Sequence, residues 1–275
     1  LKRLLKDDLE EFQREAGNLK VFNGYAHPHM VTLLMTWKWI SSYYLLFPLA
    51  KCDLDKYWEN TPNKVDMDTV QWMSKQLVGI SSAVSSIHDP KTNVIRHDVG
   101  PDNATLQVPH DESRYGRHGD LKPDNILLYD STEYDQGILV VADFGLSKLN
   151  SILSRSIQSN SRVPATPRYK APECDIDGAR IKRSYDIWTF GCLSLEWVCW
   201  LFGGQSARET FIRSLDKPYP SGSRKDMFFD MLRQPDVKLA GQHGEEYLVV
   251  IKPEVEEVCR PRHVRLSSTT GLTPV

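Results

Sequence analysis

The sequence predicts an α+β chain in which a small N-terminal part holding strands precedes a larger, mainly helical part. Three observations lead there. Residues 7–22 carry Leu9, Phe12, Ala16, Leu19 and Phe22 at spacings of three and four, one face of a helix. Two short β-type runs follow, at 31–36 and 43–47. Beyond them, residues 70–88 set Trp72, Leu77, Ile80, Val84 and Ile87 on one helical stripe, and residues 187–204 are apolar almost throughout.

The bulk properties exclude as much as they suggest. A chain of 275 residues with 40% hydrophobic and 25% charged residues can bury a sizeable core. A net charge of −2 offers no basic field for nucleic acid. Five scattered cysteines without CxxC spacing read as reduced thiols of an intracellular protein, cytoplasmic with the nucleus left open. Basic residues at 2–6 run at once into acids, so no signal-peptide pattern opens the chain. The apolar run 187–204 contains Glu196 and glycines and is short for a membrane span, so it reads as a buried core helix and no membrane partner is expected.

Each element then has its own signal. The first helix begins with acids in its first turns and ends before His27-Pro28-His29. Phe47-Pro48-Leu49-Ala50 leaves the second β-run as a connection, and a short helix starts over 53–58. Residues 89–117, with Pro90, Gly100, Pro101, Pro109 and Gly116, read as a solvated insertion. His88, His97, His110, Asp98 and Asp111 in and beside it match no closed metal-site spacing. Residues 125–129 and 138–142 form a hairpin. Residues 208–232 read as one or two helices, and the chain from 251 to 275 as a tail.

The chemistry concentrates in His118-Gly119-Asp120-Leu121-Lys122-Pro123-Asp124-Asn125. It places a carboxylate, an ammonium and an amide within six positions and then enters an apolar strand. Such a loop can hold a base and a metal ligand on one side of a nucleotide, with Lys122 neutralising a transferring phosphoryl group. A surface loop of this composition is common by itself. Three more pieces follow in order: Asp143-Phe144-Gly145 after a strand-like run, Ala171-Pro172-Glu173, and Tyr185-Asp186-Ile187-Trp188-Thr189-Phe190-Gly191-Cys192. The ordered set resembles the eukaryotic protein kinase family over roughly residues 2–204. Together with Phe47-Pro48-Leu49-Ala50, the His118-Gly119-Asp120 triplet looks most like a group of fungal serine/threonine kinases.

The resemblance implies a bilobal protein kinase-like fold. Residues 1–48 would be a partly truncated antiparallel small lobe with the helix termed αC in that family. Residues 49–250 would be the large lobe. ATP and Mg²⁺ would be required, and the partner would be a protein carrying a serine or threonine hydroxyl. Carried over residue by residue, Asp120 is the base, Lys122 stabilises the γ-phosphate, and Asn125 and Asp143 hold Mg²⁺. Thr166 bridges Asp120 and Lys122. Lys2, oriented by Glu15, positions the α- and β-phosphates. Phe47, Leu49 and Ala50 form the adenine hinge and Leu127 the pocket floor. Pro48 lacks an N–H, so the hinge donor falls to a neighbour such as Ala50. Asp186, buried in an apolar helix, needs donors, and the family's answer is the backbone of the catalytic loop.

The chain also departs from the family pattern. No Gly-rich loop precedes Lys2, Gly119 stands where Arg is usual, Ala165 stands where Gly is usual, and no Arg can be placed opposite Glu173. Ser151, Ser154, Ser156, Ser159 and Ser161 are candidate phosphorylation sites. Two rivals stand beside the kinase reading. Small-molecule phosphotransferases share His-Gly-Asp-x-x-x-x-Asn but lack the Ala-Pro-Glu segment. A pseudokinase acting as a binding module would keep the fold without turnover.

Overall fold

The computed structural model describes residues 1–5, 9–23, 27–89, 114–151, 166–176, 181–218, 224–233 and 247–260. Strand β1 (Lys2–Leu5) and helix α1 (Leu9–Asn23) precede a hairpin of β2 (Met35–Trp39) and β3 (Ser42–Leu46). The three strands form an antiparallel sheet in the order β1-β3-β2, with Lys2 opposite Leu45 and Trp37 opposite Tyr44. Helix α1 turns Ala16, Leu19 and Glu15 inward, and Phe12 stacks on Tyr43 at 4.6 Å. Leu9, assigned to the same face by periodicity, is instead exposed.

The strand expected over 31–36 begins only at Met35. The residues before it are extended but bond elsewhere. Val31 donates to Val141 O at 2.9 Å, Val141 donates back to His29 O at 2.9 Å, and Leu34 donates to Leu46 O. The apolar Val31 and Leu33 are therefore buried along a connection that ties the first sheet to the hairpin carrying Val141.

Strand β4 (Cys52–Asp53) leads into α2 (Leu54–Asn60), and α3 (Met67–His88) follows. Both helices begin at an aspartate whose carboxylate takes an orphan N–H, Asp53 from Lys56 and Asp66 from Thr69, each at 2.8 Å. The Asp66 cap explains why α3 starts a turn before the expected residue 70. Its stripe of Trp72, Ile80, Val84 and Ile87 is buried, and Leu77 packs at the core edge.

Strand β5 (Arg114–Arg117) forms inside the stretch expected to be loop. The correction has a simple cause: β5 pairs with β8 (Lys148–Ser151), a strand more than thirty residues away that local composition cannot reveal. Residues 90–113, with His97, His110, Asp98 and Asp111, lie outside the described residues. Strands β6 (Ile126–Tyr129) and β7 (Ile138–Val141) form the expected hairpin, joined to β4 in the order β4-β6-β7. Its turn requires Gly137, at φ 96°, because a Cβ there would lie 2.4 Å from Tyr129 O. Helix α3 fixes the hairpin through Trp72 Nε1 on Gly137 O (2.7 Å) and Gln76 Oε1 accepting from Leu139 N (2.9 Å).

Helix α4 (Ser184–Ser214) crosses the large part of the molecule and is broken at Gly204, whose φ is 69°. Among the described residues it alone is long and apolar enough to cross a membrane. Here Leu193, Trp197, Trp200 and Leu201 pack in the main core with Trp58 and Trp72, so the helix is interior to the fold as expected. After it the prediction of one or two helices over 208–232 fails beyond Ser214. The chain forms β9 (Lys217–Pro218), β10 (Arg224–Lys225) and β11 (Phe229–Arg233), the last paired with β12 (Tyr247–Ile251). Phe229 and Met231 point inward while Leu232 is exposed, a period of two that marks a strand. The expected tail is also ordered at its start. Helix α5 (Pro253–Cys259) buries Val255 against Phe211, Leu215 and Phe228, and the buried Lys252 ammonium bonds the carbonyls of Leu215 and Lys225. Residues 261–275 lie outside the described residues. All five cysteines are free thiols.

Candidate active site

The loop between β5 and β6 is fixed from below by Asp186, in the first turn of α4 and wholly buried. Its Oδ1 accepts from Gly119 N at 2.9 Å. Its Oδ2 accepts from His118 N and from His88 Nε2, both at 2.8 Å. A buried carboxylate is tolerated only when such donors satisfy it. Gly119 sits at φ 85°, a conformation that glycine adopts freely. The His118 ring lies inside the loop, with Nε2 donating to Ala142 O at 3.0 Å and Nδ1 accepting from Asp120 N at 3.3 Å. Its edge meets Phe144 at 5.2 Å.

Above this base, three side chains close a ring of polar contacts and a fourth, Asn125, joins it at Asp120. Thr166 Oγ1 donates to Asp120 Oδ1 at 3.1 Å and accepts from Lys122 Nζ at 3.1 Å. Lys122 Nζ also lies 3.0 Å from Asp120 Oδ2. Asn125 Nδ2 donates to Asp120 Oδ2 at 3.0 Å and to Asp120 O at 2.8 Å. With its amide nitrogen committed, Asn125 turns its oxygen away from Asp120. The Asn125 carbonyl accepts from Ala142 N at 2.9 Å, which brings the following residue, Asp143, beside it.

A second cluster faces the first. Lys2 Nζ lies 2.8 Å from Glu15 Oε2 and 3.0 Å from Asp143 Oδ1. Burial alone would lower the Lys2 ammonium, but the Glu15 and Asp143 carboxylates outweigh it and hold its pKa above the usual lysine value. Burial pushes the Glu15 carboxyl up, against the pull of Lys2. Asp143 goes the other way: burial would raise it, but Lys2, with the Gly145 N–H and His118, holds it below the usual range. Helix α1 also grips the segment after Asp143. Asn18 Nδ2 donates to Ser147 O at 2.8 Å and to Phe144 O at 3.3 Å, and Arg14 Nε donates to Gly145 O at 2.8 Å. Asp143 itself sits at φ 60°, an uncommon conformation for a non-glycine residue, held by these contacts on both sides.

The donors fit a small hard cation. Asp143 Oδ1 is committed to Lys2 and Gly145 N, while Oδ2 takes no protein donor among the described residues. That oxygen and the Asn125 amide oxygen are the two protein oxygens that would be offered to a Mg²⁺ ion, an ion that keeps several waters and takes few protein ligands. Among the described residues no group of three His, Cys, Asp or Glu could hold a metal. His88, weighed above as a metal ligand, instead serves Asp186.

The hinge residues lie between the two sheets. Phe47 packs against the main core and Leu127 is half-buried in β6. Leu49 is 95% exposed, so only its backbone can serve a ligand in the cleft. Tyr129 OH donates to Pro48 O at 3.3 Å and Lys51 N donates to Leu128 O at 2.8 Å. Those bonds leave Ala50 N–H among the uncommitted hinge groups of the described residues.

The structure thus gathers Asp120, Lys122, Asn125 and Thr166 into one cluster, and Lys2, Glu15 and Asp143 into another. Sequence reasoning missed Arg14 and Asn18. Their signal was present, since they flank Glu15 at a helical spacing of four and so share its edge of α1. Glu173 Oε1 is buried and has no hydrogen-bond partner among the described residues, so its counterpart is still unplaced. Ser154, Ser156, Ser159, Ser161 and Ala165 lie outside the described residues, and Ser151 ends β8.

Comparison with known proteins agrees with this geometry. The protein kinase domain profile matches residues 105–218. Mouse cyclin-dependent kinase-like 2 is 25% identical over 248 residues, 86% of this chain and 38% of that protein. The human protein of the same name is 25% identical over 198 residues, 71% of this chain and 33% of its own length. Arabidopsis thaliana cyclin-dependent kinase E-1 is 34% identical over 95 residues, 34% of this chain and 20% of its own. The chain therefore spans less than two-fifths of the length of these curated relatives.

Proposed function

The chain belongs to the eukaryotic protein kinase family, and from that premise we propose that it is a protein serine/threonine kinase using MgATP. The observation that carries this reading is the ring of Asp120, Thr166 and Lys122, with Asn125 bonded to Asp120 beside it. It holds one carboxylate with its orientation fixed from three directions.

In this reading Asp120 receives the hydroxyl of the substrate and takes its proton as the new O–P bond forms and the bond from the γ-phosphorus to the β–γ bridging oxygen breaks, with ADP as the leaving group. Asn125 and Thr166 keep the carboxylate from turning away. Lys122, already within reach of Asp120, stabilises the negative charge on the transferring γ-phosphoryl group. Lys2, held by Glu15, positions the α- and β-phosphates. Asp143 and the Asn125 amide oxygen would hold Mg²⁺, whose charge would offset that of the phosphates. The backbone of residues 47–50 offers adenine its hydrogen bonds. Little covalent work falls to the protein, so positioning and charge supply most of the acceleration. The Lys122–Thr166 contact supports a serine or threonine acceptor over tyrosine.

The test is Mg²⁺-dependent phosphorylation of a generic basic protein by the whole protein, with Asp143→Ala as control and the modified amino acid identified. Phosphoserine or phosphothreonine, lost in the variant, is expected. Phosphotyrosine alone would contradict the acceptor class. Nucleotide binding without transfer would favour a binding module instead.

A further inference from the structure

Helix α4 supports the candidate active site at two points, Asp186 and Glu196. Ten residues after Asp186, about 15 Å along the axis, Glu196 is also wholly buried. Its Oε1 accepts from Tyr169 OH at 2.8 Å and faces Arg168 Nη1 at 3.7 Å. Tyr169 closes the short turn that begins at Thr166, its N–H donating to Thr166 O at 3.1 Å. Asp186 therefore sets the height of Asp120, and Glu196 sets the height of Thr166, which bonds Asp120 and Lys122.

A buried carboxylate that only accepted a phenol would be left largely uncompensated. Its second oxygen is taken by Arg208, whose Nε donates to Oε2 at 2.9 Å. Arg208 is 4% exposed, pairs through Nη2 with Asp55 of α2 at 2.5 Å, and lies over the Trp58 ring at 4.5 Å. The contact with Glu196 is impossible on a continuous helix, because twelve residues would separate the two by about 18 Å. The break at Gly204 brings Arg208 back. Gly204 holds φ 69°, a Cβ there would lie 2.7 Å from Asn63 Oδ1, and Asn63 Nδ2 caps Leu201 O at 3.0 Å.

We propose that Arg208, returned by the Gly204 break, is a positioning residue for the phosphoacceptor side of the site, acting through Glu196 and Tyr169 on Thr166. It touches neither nucleotide nor acceptor. Its effect is to keep Glu196 ionised and aimed, so that the turn carrying Thr166 keeps its register against Asp120. Only the kinetic half of the test rests on the function proposed above.

The experiment compares the whole protein with Arg208→Met and Arg208→Lys by amide hydrogen exchange and by kinetics. In Arg208→Met, exchange at Tyr169 and Lys170 should quicken by roughly tenfold or more. Exchange at His118 and Gly119, held by Asp186, should stay as it was. Transfer to a protein substrate should fall by up to about tenfold in kcat/KM, no more than the loss of the Thr166 bonds themselves would cost. The KM for MgATP should change by less than about threefold, since the phosphates are held by Lys2 with Glu15 and by Asp143 rather than by the Thr166 turn. Arg208→Lys should recover part of both losses. If Arg208→Met does not fold, Asp55→Asn, at a half-exposed partner, should show the same selective pattern in weaker form. Equal quickening at all four amides, or a KM for MgATP that rises as far as transfer falls, would overturn the proposal, because that is the mark of general destabilisation. If the unaltered protein transfers no phosphate, the kinase reading fails and the exchange data still judge the positioning role.

Discussion

The two halves of the site are built by opposite means. The base half hangs on Asp186, which is wholly buried and has its carboxylate oxygens filled by two backbone N–H groups and an imidazole. The phosphate half hangs on Lys2 and Asp143, whose side chains are 32% and 45% exposed and pair mainly with each other and with Glu15. The difference teaches where a site can afford to be open. In the proposed function Asp120 would be aimed before any ligand arrives, which interior supports allow. Lys2 and Asp143 would trade each other for phosphate and metal, which their own exposure allows.

That contrast can be broken by substitution, starting with the largest effect. Asp186→Ala should cost about 3–5 kcal/mol of stability, because it leaves buried donors without an acceptor. Urea unfolding measures it, and a cost below ~1 kcal/mol would show that the base half is not held from the interior. Lys2→Met should lower kcat/KM for nucleotide by about 10²–10³-fold and lower the unfolding midpoint by less than Asp186→Ala does, since Lys2 is partly solvated although its partner Glu15 is buried and loses its cation. A melting curve beside the kinetics separates the two outcomes. The Lys2 pKa is raised in the folded protein, so its stabilising effect is complete below its unfolded value of 10.5 and fades as pH rises through the folded one. Asp143 is lowered, so its share is present above 3.8 and fades as pH falls through its folded value. The Lys2 and Asp143 shares of the stability gap between the unaltered protein and Lys2→Met should therefore fade at opposite extremes of pH.

Smaller effects sharpen the comparison. Thr166→Ala removes one bond to Asp120 and one to Lys122 and should cost about 0.5–1.5 kcal/mol of transition-state stabilisation, read as up to roughly tenfold in transfer to protein, with Thr166→Ser restoring it. The least is expected at Asp66, outside the site. Lys64 and the Thr69 N–H hold its carboxyl at about 2. Asp66→Asn should lower stability slightly by an amount constant above pH 3.8 and vanishing as pH falls toward 2, followed by acid titration of the unfolding free energy.

What was legible in the sequence divides along similar lines. The stretch 118–125 and Asp143 were readable because their chemistry is local and their spacing is short. Helices α1 and α3 were readable because one face of each is apolar at a period of 3.6. Strand β5 was not, since its partner β8 lies far along the chain. Strand β11 was taken as helix because its five residues are too few to separate a period of two from one of 3.6. The start of the tail was misread because Lys252 looks like a surface residue, yet its ammonium is buried on two carbonyls that only the fold brings together. Arg208 was hidden for the same reason. The break at Gly204, not any spacing, brings it to Glu196.

The most direct measurement pairs the affinity of Asp120→Asn for MgATP with its single-turnover rate of transfer to protein. If the base half and the phosphate half are separate devices, affinity should stay within about threefold of the unaltered protein while the rate falls by ~10²–10⁴-fold. An unchanged rate would remove Asp120 from the chemistry. A loss of affinity as large as the loss of rate would show that the two halves are one.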